Sequence, residues 1–254
     1  MTLISVILTT YNRKELVTKT INSILSQSFQ DFELIIVDNF SNYNFFDLIQ
    51  IFNSPKIKAF QNRNEGIIAV NRNFAIARSS GKYLAFCDDD DLWEQEKLQY
   101  QIQYLEKDNF DLTYTNTKLM FDNGNLVYSN YSDINNLRSL LYRNQVTLSS
   151  VLVRKTTEVR FNESVDLIAL EDYELWINLM LNGFKFKFIE IPLVNYRVHS
   201  SISRQSKYIN EKKKLKFAIS LFQNNKIPLR LKYIIFFKLC NLFLRLNIFY
   251  LIRI

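Results

Sequence analysis

The chain has 254 residues, 48% hydrophobic and 22% charged, a globular composition that excludes a disordered or low-complexity chain. Four glycines and three prolines exclude collagen-like and linker-rich organisation, two cysteines exclude a disulfide framework, and a single histidine leaves little imidazole for zinc. The net charge of +7 is uneven: from Arg204 onward 12 Lys/Arg face one acid, Glu211, so the preceding part is net acidic and the tail calls for an anionic partner.

LISVILTT (3–10) is apolar and rich in β-branched residues, which predicts a buried strand. Asn12 and Glu15 have the spacing of a capping box, and Leu16, Val17, Ile21, Ile24 and Leu25 form the apolar face of the helix that follows. FELIIVD (32–38) predicts a second buried strand and KIKAFQN (56–62) a weaker third. A helix over 67–79, a strand over 82–88, a helix over 92–107 and a strand over 111–117 come next. Strands alternating with helices imply a mostly parallel sheet flanked by helices, with ligands beyond the carboxyl ends of the strands.

The second half changes character. A hairpin is expected around Asn123-Gly124, a strand over 147–154, an amphipathic helix over 171–183 stopped by Gly183, and an alternating strand over 184–191. Pro228 then opens a helix on which Arg230, Lys238, Asn241 and Arg245 share a sector of about 80°, with apolar residues elsewhere. Two readings of this basic stripe stand side by side: a helix lying on an anionic bilayer, or one packed against the rest of the chain or a second copy of it. The start, MTLISVIL, lacks the basic segment of a signal peptide, and no apolar run reaches bilayer-spanning length.

FCDDDDLW (86–93) sets four carboxylates after a buried strand. Solvation, protonation or a cation relieves their repulsion. Aspartates combined with water and phosphate oxygens suit Mg2+ or Mn2+; the plainer alternative is a solvated loop capping the next helix.

SVILTTYNR (5–13), LIIVDNFS (34–41), NEGIIAVNRNFAIARSSGKYLAFCDDDDLW (64–93), LEDYELWINL (170–179) and YRVHSSIS (196–203), in that order, resemble the family 2 glycosyltransferases. The resemblance implies a GT-A, Rossmann-like catalytic domain over 1–203, followed by a basic, aromatic-rich helical extension over 204–254. It also implies an inverting, metal-dependent transfer of sugar from a nucleotide diphosphate. Thr9, Tyr11 and Arg13 would form the first nucleotide loop, and Asn64, Gly66 and Arg72 the second. Arg72 is open between a phosphate contact and a solvated helix position. Asp38 would accept a hydrogen bond from a uracil-type N–H, because an ionised carboxylate accepts and cannot donate; the alternative is a turn residue with Asn39.

The family's D-x-D pattern maps onto Asp88 and Asp90, with Asp89 between them. Asp90 would be the most direct ligand of Mn2+ or Mg2+, and Asp88 would meet the ribose or the metal's water shell. Asp172 would be the general base, with Glu171 positioning it or the acceptor. Trp176 is either a sugar-stacking or a core residue, and His199 either a metal ligand or a phosphate contact. The paired glycines common in relatives are replaced here by Val159-Arg160-Phe161-Asn162, so acceptor contacts do not carry over.

The expected partners are a UDP-sugar donor, a surface-polysaccharide or lipid-linked glycan acceptor, an anionic membrane surface under the tail, and a second copy of the chain, but no nucleic acid. The expected location is the cytoplasm, on the inner face of the cell membrane. The rivals are a non-catalytic nucleotide-binding scaffold of the same fold and a nucleotidylyltransferase. The latter ranks lower because TTYNRKE (9–15) lacks glycine.

Overall fold

A computed structural model describes residues 2–121, 123–198 and 204–251. Ile4–Thr10 (β1), Phe32–Asp38 (β2), Ile57–Gln61 (β3) and Tyr83–Asp88 (β4) lie side by side in the order β3-β2-β1-β4, all parallel. Every residue of β1 and β2 is buried, as continuous apolar runs covered on both faces require. Helices Lys14–Leu25 (α1), Phe45–Gln50 (α2), Ile68–Arg78 (α3) and Lys97–Lys107 (α4) join these strands or flank them.

The sheet continues through Leu152–Arg154 (β8), Leu112–Phe121 (β6), Phe186–Val198 (β9) and Leu92–Trp93 (β5). β6 and β9 are parallel, whereas β8 and β5 run antiparallel to their neighbours, and Leu126–Tyr128 (β7) closes a hairpin on β6. Leu137–Tyr142 (α5) and Glu171–Leu181 (α6) cover this half. Gly183, at φ 87°, ends the α6 turn where a side chain would be strained.

Three expectations change. Asn12 and Glu15 form no capping box: α1 has no side-chain cap, and Asn12, at φ 55°, instead exchanges hydrogen bonds with Ser41 (2.8 Å) and Asn42 (2.7 Å). Leu92 and Trp93 form a short strand on β9 rather than the first turn of a helix. The predicted strand over 147–154 is a 3-10 turn at Leu148–Ser150 followed by three strand residues.

The tail forms two helices, Arg204–Gln223 (α7) and Leu229–Leu251 (α8). Phe217, Leu221, Ile234 and Ile235 enter the same apolar core as α6 and β6, so the hairpin of α7 and α8 is part of the body of the protein. The opposite face of α8 exposes Phe237 (67%) and Leu244 (63%). No described helix is long and apolar enough to cross a membrane.

A second apolar cluster, which includes Trp93 and Leu98, encloses a buried lysine. Lys97 is fully buried at the start of α4, its Nζ 3.8 Å from the centre of the Trp93 ring and without a hydrogen-bond acceptor. Burial lowers its pKa to about 7. The unfolded chain therefore binds more protons than the native one between about pH 7 and 10.5, and stability rises with pH across that window. Lys97→Met should stabilise the protein by about 2 kcal/mol at pH 7, less what the ring contact contributes. The gain should shrink toward pH 10, as urea unfolding at the two pH values would read.

Candidate active site

Strand register brings the polar ends together: Thr10 pairs with Asp38, and Thr9 with Asp88. The loops beyond these ends hold the acidic run, and its carboxylates are shared among several donors. Asp88 Oδ1 accepts from Arg72 at 2.9 Å. Asp89 accepts from the Thr10 hydroxyl at 2.8 Å and from Arg13 at 2.9 Å, and Arg13 also reaches Asp90 at 2.6 Å. Asp91 is fully buried and accepts from the Ser149 hydroxyl (2.6 Å) and the Arg197 backbone N–H (2.9 Å). Burial, reinforced by the charge of Asp88, holds the Asp91 carboxyl well above the usual range. The four adjacent carboxyls are thus dispersed onto two arginines, two hydroxyls and a backbone donor.

Arg72 is not a solvated helix residue. It is buried, with Nη2 on Asp88 and Nη1 on Glu171 Oε1 at 2.7 Å. It therefore ties the end of β4 to the first turn of α6. Glu171 is 5% exposed, and its Oε2 has no donor. Next to it, Asp172 Oδ1 accepts from the Tyr173 N–H at 2.6 Å. Burial, then the Glu171 charge, pushes the Asp172 carboxyl up to about 7, against the pull of Arg72. That value is suited to taking a proton near neutral pH.

Two cavities flank this clamp. One, of about 280 Å3, is lined by Thr9, Tyr11, Arg13, Asn64, Gly66 and Asp89, among others. Gly66, at φ 79°, and the Asn64 side chain, which accepts from the Gly66 N–H at 3.0 Å, shape its floor. The second, of about 500 Å3, has Asp172 in its wall beside Tyr173 and the inner face of α8. The two share no lining residue.

Residues 5–158 match the family described as Glycosyl transferase family 2. This chain belongs to that family. The glycosyltransferase is 32% identical over 211 residues to the UDP-Glc:alpha-D-GlcNAc-diphosphoundecaprenol beta-1,3-glucosyltransferase WfaP of Escherichia coli, covering 82% of each chain. Its fold matches that of S. aureus TarS 1-349 solved in complex with UDP-GlcNAc, with a TM-score of 0.74 at 20% identity over 94% of this chain and 72% of that one. The mannosyltransferase PcManGT from Pyrobaculum calidifontis, solved with GDP-Man and Mn2+, matches with a TM-score of 0.64 at 14% identity over 93% and 68%.

Several residues of the glycosyltransferase depart from their expected surroundings. Asp38 is fully buried, with Oδ1 held by the Ser41 hydroxyl and Oδ2 by the Ser41 N–H (3.0 Å) and Gln61 (2.9 Å). In this arrangement it orders the loop after β2, with three donors on a carboxylate that has about four acceptor sites. Trp176 is 0% exposed within the core, so it is not a sugar-stacking platform. His199 lies outside the described residues. Lys238, Asn241 and Arg245 line the cavity beside Asp172, Arg245 with its side chain still 56% exposed, whereas Arg230 lines a separate cavity.

Sequence reasoning missed Ser149, which donates to Asp91 and accepts from the Asp88 N–H at 3.0 Å. It also missed Thr20, whose hydroxyl donates to the carbonyls of Asp89 (3.0 Å) and Asp91 (2.9 Å). Neither residue carries a local signal, since each acts across more than fifty positions of sequence.

Proposed function

We propose that the enzyme transfers a sugar, with inversion, from a uridine diphosphate donor to a lipid-linked glycan. The observation that carries this reading is Asp172, a carboxylate with its pKa near 7 in the wall of one cavity, joined through Glu171 and Arg72 to the strand end that borders the other. The smaller cavity, with Thr9, Tyr11, Arg13, Asn64 and Gly66, takes the donor. Asp172 takes the proton from an acceptor hydroxyl as its oxygen attacks the anomeric carbon. The bond from that carbon to the phosphate oxygen breaks, and UDP leaves with the bonding pair. The similarity to a UDP-glucose-dependent enzyme acting on a diphosphoundecaprenol-linked sugar supports both the donor and the acceptor class.

Mn2+ or Mg2+ suits the oxygen-only donor set of Asp88 and Asp90. No cluster of three His, Cys, Asp or Glu among the described residues forms a cage by itself. Asp90 and Asp88 would therefore hold an ion that takes its other oxygens from diphosphate and water, and it would supply charge neutralisation on the leaving diphosphate. Arg13, already on Asp89 and Asp90 and in the lining of the smaller cavity, would pair with the same phosphates. The exposed apolar face of α8 fits peripheral attachment to a membrane that carries the acceptor, which liposome co-sedimentation would test.

The experiment is thermal shift with UDP, with and without Mn2+, followed by donor hydrolysis over a panel of nucleotide sugars. UDP should raise the melting temperature by several degrees, more with Mn2+, and one UDP-sugar should be hydrolysed. A protein that binds UDP but hydrolyses no donor would be the scaffold; one with no response to UDP at all would end the donor assignment.

A further inference from the structure

The cavity beside Asp172 is walled by α5, α6, α7 and α8, and four cations reach it: Arg143, Lys214, Lys238 and Arg245. Lys214 and Arg245 share one carboxylate, Glu211, at 2.8 and 3.8 Å. Glu211 is nine-tenths buried, with an Oε2 that no hydrogen bond satisfies. It fixes the two cations without neutralising both. Arg143 and Lys238 have no carboxylate within ion-pair distance among the described residues. Lys238 stands 5.8 Å from the centre of the Tyr173 ring, and burial lowers its pKa for want of a counter-charge.

The rest of the wall is apolar: Phe217, Ala218, Leu221, Ile235 and Leu242. A cavity of about 500 Å3 lined by cations, by hydrocarbon and by a candidate base matches an unusual kind of molecule. It fits a polyanionic head attached to an apolar chain. Three cations of the tail, Lys214, Lys238 and Arg245, thus line the cavity that holds Asp172, and the donor cavity shares none of these residues.

We propose that this cavity is the acceptor subsite, with Lys214, Lys238 and Arg245 holding the diphosphate of a lipid-linked sugar and the apolar wall receiving the first carbons of its chain. The sugar then projects toward Asp172. The inference rests on the reading of Asp172 as the general base. It adds what the family match leaves unassigned: which residues recognise the acceptor, and that they recognise its diphosphate rather than its sugar.

The test is calorimetric binding of decyl diphosphate, with decyl glucoside as the neutral-headed control, to the full chain and to Lys238→Gln, Arg245→Gln and the charge-keeping Lys238→Arg. The dissociation constant for decyl diphosphate should rise about tenfold or more in each Gln variant and stay within about twofold in Lys238→Arg. Decyl glucoside affinity and UDP affinity should not change. Unchanged decyl diphosphate binding in both Gln variants would overturn the proposal. So would an equal loss of UDP affinity, which would assign the cations to the donor. Loss of binding to phosphatidylglycerol vesicles without loss of decyl diphosphate binding would instead assign them to the membrane surface, and also overturn it. A wild-type protein that binds decyl diphosphate as expected but not UDP would defeat the donor assignment and leave this one standing.

Discussion

Asp172→Asn should lower kcat by about 10²–10⁴-fold, the usual worth of a general base, while UDP binding is unchanged. Asn preserves the oxygen that accepts from the Tyr173 N–H, so the first turn of α6 keeps its geometry. The folded carboxyl has a pKa of about 7 against 3.8 in the unfolded chain, so between these values the native state binds more protons and stability falls as pH rises. Asp172→Asn removes that cost and should be modestly more stable than the wild type at pH 8. Lost turnover with gained stability distinguishes a base from a structural cap, whose removal lowers both. The wild-type kcat/KM should climb through about pH 7 as Asp172 deprotonates. Glu171→Gln, by removing the adjacent negative charge, should move that limb to lower pH. An Asp172→Asn enzyme with full turnover would remove Asp172 from the chemistry.

Arg72→Gln should destabilise the fold by about 3–5 kcal/mol, because it leaves Glu171 and Asp88 without their shared cation. Urea unfolding reads this directly, and the double variant Arg72→Gln with Glu171→Gln should recover part of the loss, since the two side chains are coupled. The single variant should also move the acid limb of kcat/KM to higher pH, because Arg72 holds the Asp172 pKa down. A wild-type unfolding midpoint in Arg72→Gln would mean that this clamp contributes nothing to holding α6 against β4.

Much of the site is legible without coordinates, for a local reason. β1, β2 and β4 are written as unbroken apolar runs, and each ends in polar residues at the point where a parallel sheet places its ligands. Asp88, Asp90 and Asp172 follow from short motifs within single loops or helix starts. Arg72 is different. Its sequence neighbours suggest a surface position on α3, yet its two partners lie 16 and 99 residues away. Asp38 shows the same limit from the other side: a strand-end aspartate is recognisable, but its capture by Ser41 and Gln61 is set by how the β2 loop folds back onto β3.

The C-terminal helices mark the boundary most clearly. A helical wheel correctly gathers Lys238, Asn241 and Arg245 on one side of α8, because residue spacing fixes which side chains share a face. It does not say which way the face turns. Packing of Ile234 and Ile235 into the core shared with Phe217 and Leu221 decided that, leaving Phe237 and Leu244 outward and the cations beside Asp172. Sequence alone determined the elements, the family and the acidic strand end, since those depend on neighbours along the chain. Only the tertiary structure decided the Arg72 clamp, the burial of Trp176 and the placing of Lys238 and Arg245 in the same cavity wall as Asp172, because each depends on contacts between segments far apart in sequence.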